Sequence, residues 1–274
     1  MIIKTKVPKK AFLKLLILLL LLQSCGKSGD GLISSALSSS EIDWISEKTQ
    51  NLILYAPEDS YAAENLAELK IQAETARQQV MERLQVVKQE AAPSLLFLES
   101  REEMQEFTGI AAGGRTVVEE NGAFFTMNDA VNPPLRHELG HLYSWRSWGP
   151  PAGYWLSEGV AVYAAGDCKS EELHAWAAKL TLENKLQDFS LLEQDLDFSS
   201  AAAHLQAGSF IKYVMEKYGV RSFRLIWEEG LSASSEATGL EMDALLDQWT
   251  GHIMQKEFTA AAQFLDLDTK ISCE

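Results

Sequence analysis

His137, Glu138 and His141 stand in the order His-Glu-Leu-Gly-His, and no other stretch of this 274-residue chain is as well suited to chemistry. On a helix, residues four apart lie one turn above each other on the same face. His137 and His141 can then offer ring nitrogens to one zinc ion, while Glu138 reaches a water bound to it. The chain has five histidines, at 137, 141, 174, 204 and 252, so two of the five fall within this one turn. Two protein ligands rarely suffice; a third is expected, with the remaining position open to water or substrate. Glu158 is the best candidate, being the one carboxylate in the otherwise apolar segment Tyr154-Trp-Leu-Ser-Glu-Gly-Val-Ala-Val-Tyr163. A buried carboxylate is costly unless it is paired or metal-bound. The competing reading pairs Glu158 with Arg136 or Arg146 inside a helical hairpin, but a metal accounts for all three groups together.

The elements that would position these residues follow from local signals. Asn132-Pro133-Pro134 predicts a helix start, with Asn132 as N-cap and proline in the first turn, and the helix runs to about Trp145. A tight turn at Gly149 to Gly153 folds a second helix, 154–165, back against it and carries Glu158 towards the histidines. Upstream, short strands are expected at 51–55 and 95–98, with a long helix over 60–89 between them. Ser100 with Glu103 makes a capping box for a helix ending at Gly109. Asn121-Gly122 predicts a hairpin between strands at 115–120 and 123–127. Further helices are expected at 171–184, 201–217, 220–228, 240–249 and 252–264. The fold class is α+β: a small strand-containing N-terminal lobe over 46–131, a mainly helical lobe carrying the site over 132–230, and accessory helices over 231–274. Trp145, Trp148 and Trp155 crowd the helical hairpin, either lining a cleft or packing its core.

The N-terminus reads as an address rather than as structure. Met1 to Lys14 holds five lysines and no acidic residue, and Leu15 to Leu22 is unbroken apolar sequence, too short for a membrane span. Leu22-Gln23-Ser24-Cys25 resembles the lipobox of bacterial lipoproteins. That resemblance implies a signal peptide over 1–24, a lipid such as palmitate on Cys25, and a lipidated tether over 25–45. It implies membrane attachment through that lipid, with an outer-membrane location facing the periplasm or the cell surface. Removing the signal takes the net charge from −15 to about −20, a body repelled by nucleic acid, which is excluded as a partner. Cys168 and Cys273 could pair in an oxidising compartment or stand as free structural thiols, and neither has ligand spacing to another Cys or His.

HELGH, followed seventeen residues after His141 by Glu158 in Trp-Leu-Ser-Glu-Gly, resembles the gluzincin metallopeptidases, in particular the helical peptidase MA-like domains. The resemblance covers roughly residues 50 to 230 and implies a zincin-like fold. It implies one Zn2+ held by His137, His141 and Glu158, with Glu138 as general base in peptide-bond hydrolysis. The metzincin pattern is excluded, because Ser144 and Ser147 stand where it needs Gly and a third His. Asn121-Gly-Ala-Phe-Phe125 resembles the edge strand that pairs with an extended peptide or protein substrate. The segment 206–214 is similar to the helix packed behind the site. Such enzymes draw an oxyanion donor from a later helix; His204, Tyr213 and Tyr163 are candidates, and His204 is taken as the second catalytic residue. Val162 replaces an aspartate of thermolysin-like members, so the support for a ligand histidine is expected from a backbone carbonyl, Asp129 or Asp167. The alternative from another class is a metal-containing binding module on the cell surface with little or no turnover.

Overall fold

In a computed structural model, residues 31–87, 91–166, 168, 172–193 and 200–255 are described. The segment 1–24 expected as a signal peptide, Cys25, Asp167, Cys273 and all but the first four residues of the helix expected over 252–264 lie outside them. The described chain is α+β, with a five-stranded sheet in the N-terminal lobe and helices throughout the C-terminal lobe.

The strands are β1 (Trp44–Lys48), β2 (Ile53–Pro57), β3 (Ser94–Leu98), β4 (Gly114–Val117) and β5 (Gly122–Thr126), in the sheet order β1-β2-β3-β5-β4. β2, β3 and β5 run parallel, while β1 and β4 pair antiparallel at either edge. Both faces of the sheet are covered, which explains the continuous apolar run of β3. Leu95 and Phe97 join Ala123 and Phe125 of β5 against α3 (Leu66–Leu84) through Leu69, Ala73, Ala76 and Val80. Leu96, Leu98 and Phe124 turn the other way, onto Met104 of α4 (Arg101–Thr108) and onto Ile33 and Ala36 of α1 (Leu32–Ser38). A short α2 (Tyr61–Glu64) precedes α3, and the helix expected over 60–89 is broken between the two at Asn65. Ser100 caps α4 as expected, its hydroxyl accepting the Glu103 N–H.

Two sequence signals gave way to packing. Leu32 to Ser38, within the stretch expected as a tether, forms α1, and Glu120 holds it in place. That carboxylate accepts the Ile33 and Ser34 N–H groups at 3.0 and 2.8 Å and the Ser34 hydroxyl at 2.8 Å. The hairpin at Asn121-Gly122 forms, but a 3-10 turn over Val118–Glu120 lengthens its loop, with Asn121 in the left-handed region at φ 52°.

The helical lobe opens with α5 (Leu135–Trp148) and α6 (Tyr154–Ala165). α5 starts three residues after Asn132, with Pro134 at the cap position. The reason is the double proline, since the residue before a proline is disfavoured in helical conformation. Then follow α7 (Leu173–Leu182), α8 (Phe189–Glu193), α9 (Ala201–Tyr218), α10 (Val220–Glu229), α11 (Ser234–Thr238) and α12 (Met242–Ile253). α12 runs through Gly251, where two helices were expected. Among the described residues no helix is long and apolar enough to cross a membrane.

α6 is the centre of this lobe, buried on nearly every side. Close approach depends on small residues. A Cβ on Gly140 of α5 would lie 2.9 Å from Ala164, and one on Gly159 of α6 would lie 2.5 Å from Ile211 and 2.9 Å from Ala207 of α9. Arg83, at the end of α3, donates to the carbonyls of Tyr163 and Ala164 and so closes the C-terminus of α6.

Candidate metal centre and catalytic cleft

Helical spacing puts His137 and His141 on one face of α5, and the antiparallel return of α6 brings Glu158 opposite them. The two Nε2 atoms are 3.2 Å apart. Glu158 reaches His137 Nε2 with Oε2 and His141 Nε2 with Oε1, each at 3.4 Å. Ligand atoms about 2.0–2.1 Å from one zinc at tetrahedral angles stand about 3.3 Å from each other, so the observed separations match a zinc triangle. Among the described residues this is the one group of three His, Cys, Asp or Glu side chains converging closely enough to hold a metal. Glu158 is only 7% exposed. Burial alone would raise its pKa, but His141 and His137 overcome that and hold the carboxyl well below its usual range. The alternative pairing with Arg136 or Arg146 is not what the structure shows; imidazoles surround the carboxylate.

One candidate ligand histidine contacts a residue the sequence did not single out. His141 Nδ1 lies 2.9 Å from Ser157 Oγ, and Trp145 Nε1 donates to the same oxygen at 2.9 Å. A proton on Nδ1 makes this a donated bond and leaves the Nε2 lone pair aimed at the triangle, the tautomer a metal ligand requires. The expected supports, Asp129 or a backbone carbonyl, are thus replaced for His141 by a serine hydroxyl. The available signal was position: Ser157 directly precedes Glu158, the candidate ligand. Trp145 reaches the cleft, whereas Trp148 and Trp155 are buried in the core.

His204 also arrives at the centre. The contact of Gly159 with Ala207 sets α9 so that His204, one turn earlier, stands with Nε2 3.7 Å from Glu158 Oε2. Burial lowers its pKa first; Glu158 pulls it up, and His137 and His141 push it down. Tyr213 is engaged elsewhere, its hydroxyl bonded to Lys217 and Gln248. Tyr163 lies near Arg83 and Glu216 rather than in the cleft.

Glu138, 6% exposed, lines the same cleft and contacts β4. Its Oε2 accepts the Thr116 hydroxyl at 2.7 Å, and a Cβ on Gly114 would stand 2.5 Å from its Oε1. The cleft between β4 and the α5–α6 hairpin measures about 580 Å3, with Glu138, His137, His141 and Glu158 on one wall and Gly114 to Thr116 on the other. Ile110 and Tyr154 give it exposed apolar surface.

The edge strand itself is corrected. The 121–125 segment, expected at the edge, forms β5, which is buried between β3 and β4; β4 holds the open edge. A crossover parallel to β3 puts β5 inside, and the hairpin return puts β4 outside. The Thr126 N–H donates to Gly113 O, so by antiparallel alternation residues 113, 115 and 117 bond to β5. The main-chain groups of Gly114 and Thr116 therefore face outward into the cleft.

No protein-family model matches the chain and no curated protein does, so the functional reading rests on this geometry.

Proposed function

We propose that the protein is a zinc-dependent peptidase acting on extended polypeptide. The observation that carries the reading is the convergence of His137, His141 and Glu158 at zinc-ligand separations, with a buried second carboxylate, Glu138, beside them across an open-edged cleft. The donor set of two imidazoles and one carboxylate suits zinc and leaves a position for water or substrate. When bound there, zinc supplies Lewis acidity, polarising a carbonyl and acidifying a coordinated water.

The chain's own residues do the rest. A substrate strand pairs with the outward groups of Gly114 and Thr116, which aligns its carbonyl above the histidines. Glu138 takes a proton from the attacking water on its carboxylate and delivers it to the departing amide nitrogen. His204, beside Glu158, donates a hydrogen bond to the oxygen on which charge develops. A binding module with little turnover would have no use for Glu138 next to the metal ligands.

The test uses purified protein and an unstructured protein substrate. Wild type is expected to hold one zinc and to cleave. Glu138→Gln should keep the zinc and lose about 10²–10⁴-fold in kcat. Equal activity in the two would end the peptidase reading.

We further propose that the body is held at a membrane outside the cytoplasm by a lipid on Cys25. Cys168 is disulfide-bonded, which fits an oxidising compartment. Labelling cells with tagged palmitate should mark wild type and not Cys25→Ala, and the unlabelled variant should leave the membrane fraction.

A further inference from the structure

The general base has a seat, and the seat belongs to the strand that meets the substrate. Glu138 is a buried carboxylate, and among the described residues its side chain receives a hydrogen bond from one side chain, the Thr116 hydroxyl at 2.7 Å. The same hydroxyl lies 2.9 Å from the main-chain O of Glu138. Its single hydrogen favours the carboxylate, which is nearer and charged. Below it, Gly114 leaves the space that the carboxylate fills; any side chain there would meet Oε1, Cγ and Cδ at 2.5 to 2.8 Å. Gly114 and Thr116 are also the two residues of β4 whose main-chain groups face the open edge.

We propose that Thr116 is a positioning residue for Glu138, holding the carboxylate in its working direction so that main-chain pairing of substrate to β4 and orientation of the base are set by the same residue. The proposal rests on the peptidase reading. Thr116 bonds one carboxylate oxygen, Oε2, and leaves Oε1 for the proton that travels from water to the amide nitrogen. Removing the hydroxyl while keeping a β-branched side chain leaves the strand and its outward main chain intact and frees the base to rotate. A loosely held base costs rate rather than substrate affinity.

The experiment compares full-chain wild type, Thr116→Val and Thr116→Ser on one unstructured substrate, with zinc content, melting temperature, KM and kcat measured for each. Thr116→Val is expected to keep one zinc and KM within about twofold while kcat falls roughly 10–100-fold, the loss expected for a hydrogen bond to a charged group. Thr116→Ser should recover kcat to within a few-fold. Thr116→Ala serves as a second truncation if valine lowers the melting temperature. An active wild type matched by Thr116→Val overturns this proposal alone, as does a variant that loses zinc and kcat together or one that serine fails to rescue. A wild type that binds zinc and cleaves nothing overturns the peptidase reading and this proposal with it.

Discussion

Ser157 carries more of the centre than its small side chain suggests. Its hydroxyl accepts the Trp145 indole N–H and lies 2.9 Å from Nδ1 of His141, so it ties a candidate metal ligand to a wall of the cleft. Replacing it with alanine removes the acceptor that fixes the His141 tautomer and strands a half-buried indole N–H. Ser157→Ala is expected to weaken zinc binding by about 10–100-fold, measured by competition with a chromophoric chelator, while the fold persists. His204→Phe should leave zinc affinity nearly unchanged and lower kcat by roughly 10²–10³-fold, as loss of an oxyanion donor does. A fall in zinc affinity matching that in rate would make His204 a ligand instead. The candidate metal ligands and Glu138 were legible in the sequence because helical periodicity relates His137, Glu138 and His141, and a tight turn returns Glu158, a lone carboxylate in an apolar helix, to face them. Ser157 and Thr116 were not, because a hydroxyl carries no such signature and its partner is set by contacts between elements.

At the scale of elements, α6 was readable to its end residues and α9 nearly so, since Gly153 and Gly166 bracket one and Ser200 and Gly219 the other. β1 was missed: Trp44–Lys48 is half exposed and charged, an edge strand whose existence depends on its pairing with β2. The order of β4 and β5 was misread for a related reason, because hairpin signals specify neighbours and not which neighbour the rest of the sheet covers. The close packing of α6 on α9 gives a prediction here. Gly159→Val forces its side chain into Ile211 and Ala207 and is expected to cost about 1–3 kcal/mol in urea unfolding, moving Glu158 and His204 apart as it does. The docking of α1 gives another, in pH. Burial opposes the Glu120 charge, but hydrogen bonds from Ser34 and Ile33 win and hold its pKa below the ordinary 4.5. A depressed carboxylate stabilises the fold above its unfolded pKa and loses that contribution as pH falls through the folded value. Wild type should therefore exceed Glu120→Gln in stability at pH 7, by about 0.5–1 kcal/mol for a carboxylate at the surface that is only partly buried, and the gap should close in acid below pH 4.5.

For the whole molecule, a ligand bound only by the folded state stabilises it by mass action, about 2.7 kcal/mol when present at 100 times its Kd. Chelation is therefore expected to lower the melting temperature by roughly 5–10 °C in scanning calorimetry for a body of this size, and zinc should restore it. No change on chelation would mean that the triangle of His137, His141 and Glu158 holds no metal in solution. The strongly acidic composition, net charge −15 over the whole chain, disfavours contact with anionic surfaces.

The three candidate metal ligands all come from one helical hairpin, residues 135–165, which also carries Glu138, whereas the Thr116 that bonds Glu138 comes from an upstream strand and His204 arrives from a downstream helix. Contacts this local close early in folding, because little loop entropy stands in their way. If the triad takes zinc, the hairpin is expected to gather it before β4 has joined the sheet, and the ion would then act as a nucleus around which the later elements assemble. On the peptidase reading, metal loading and activity are therefore separable: a half-assembled molecule would hold the ion while Glu138 still lacks its seat on Thr116 and His204 has not yet arrived.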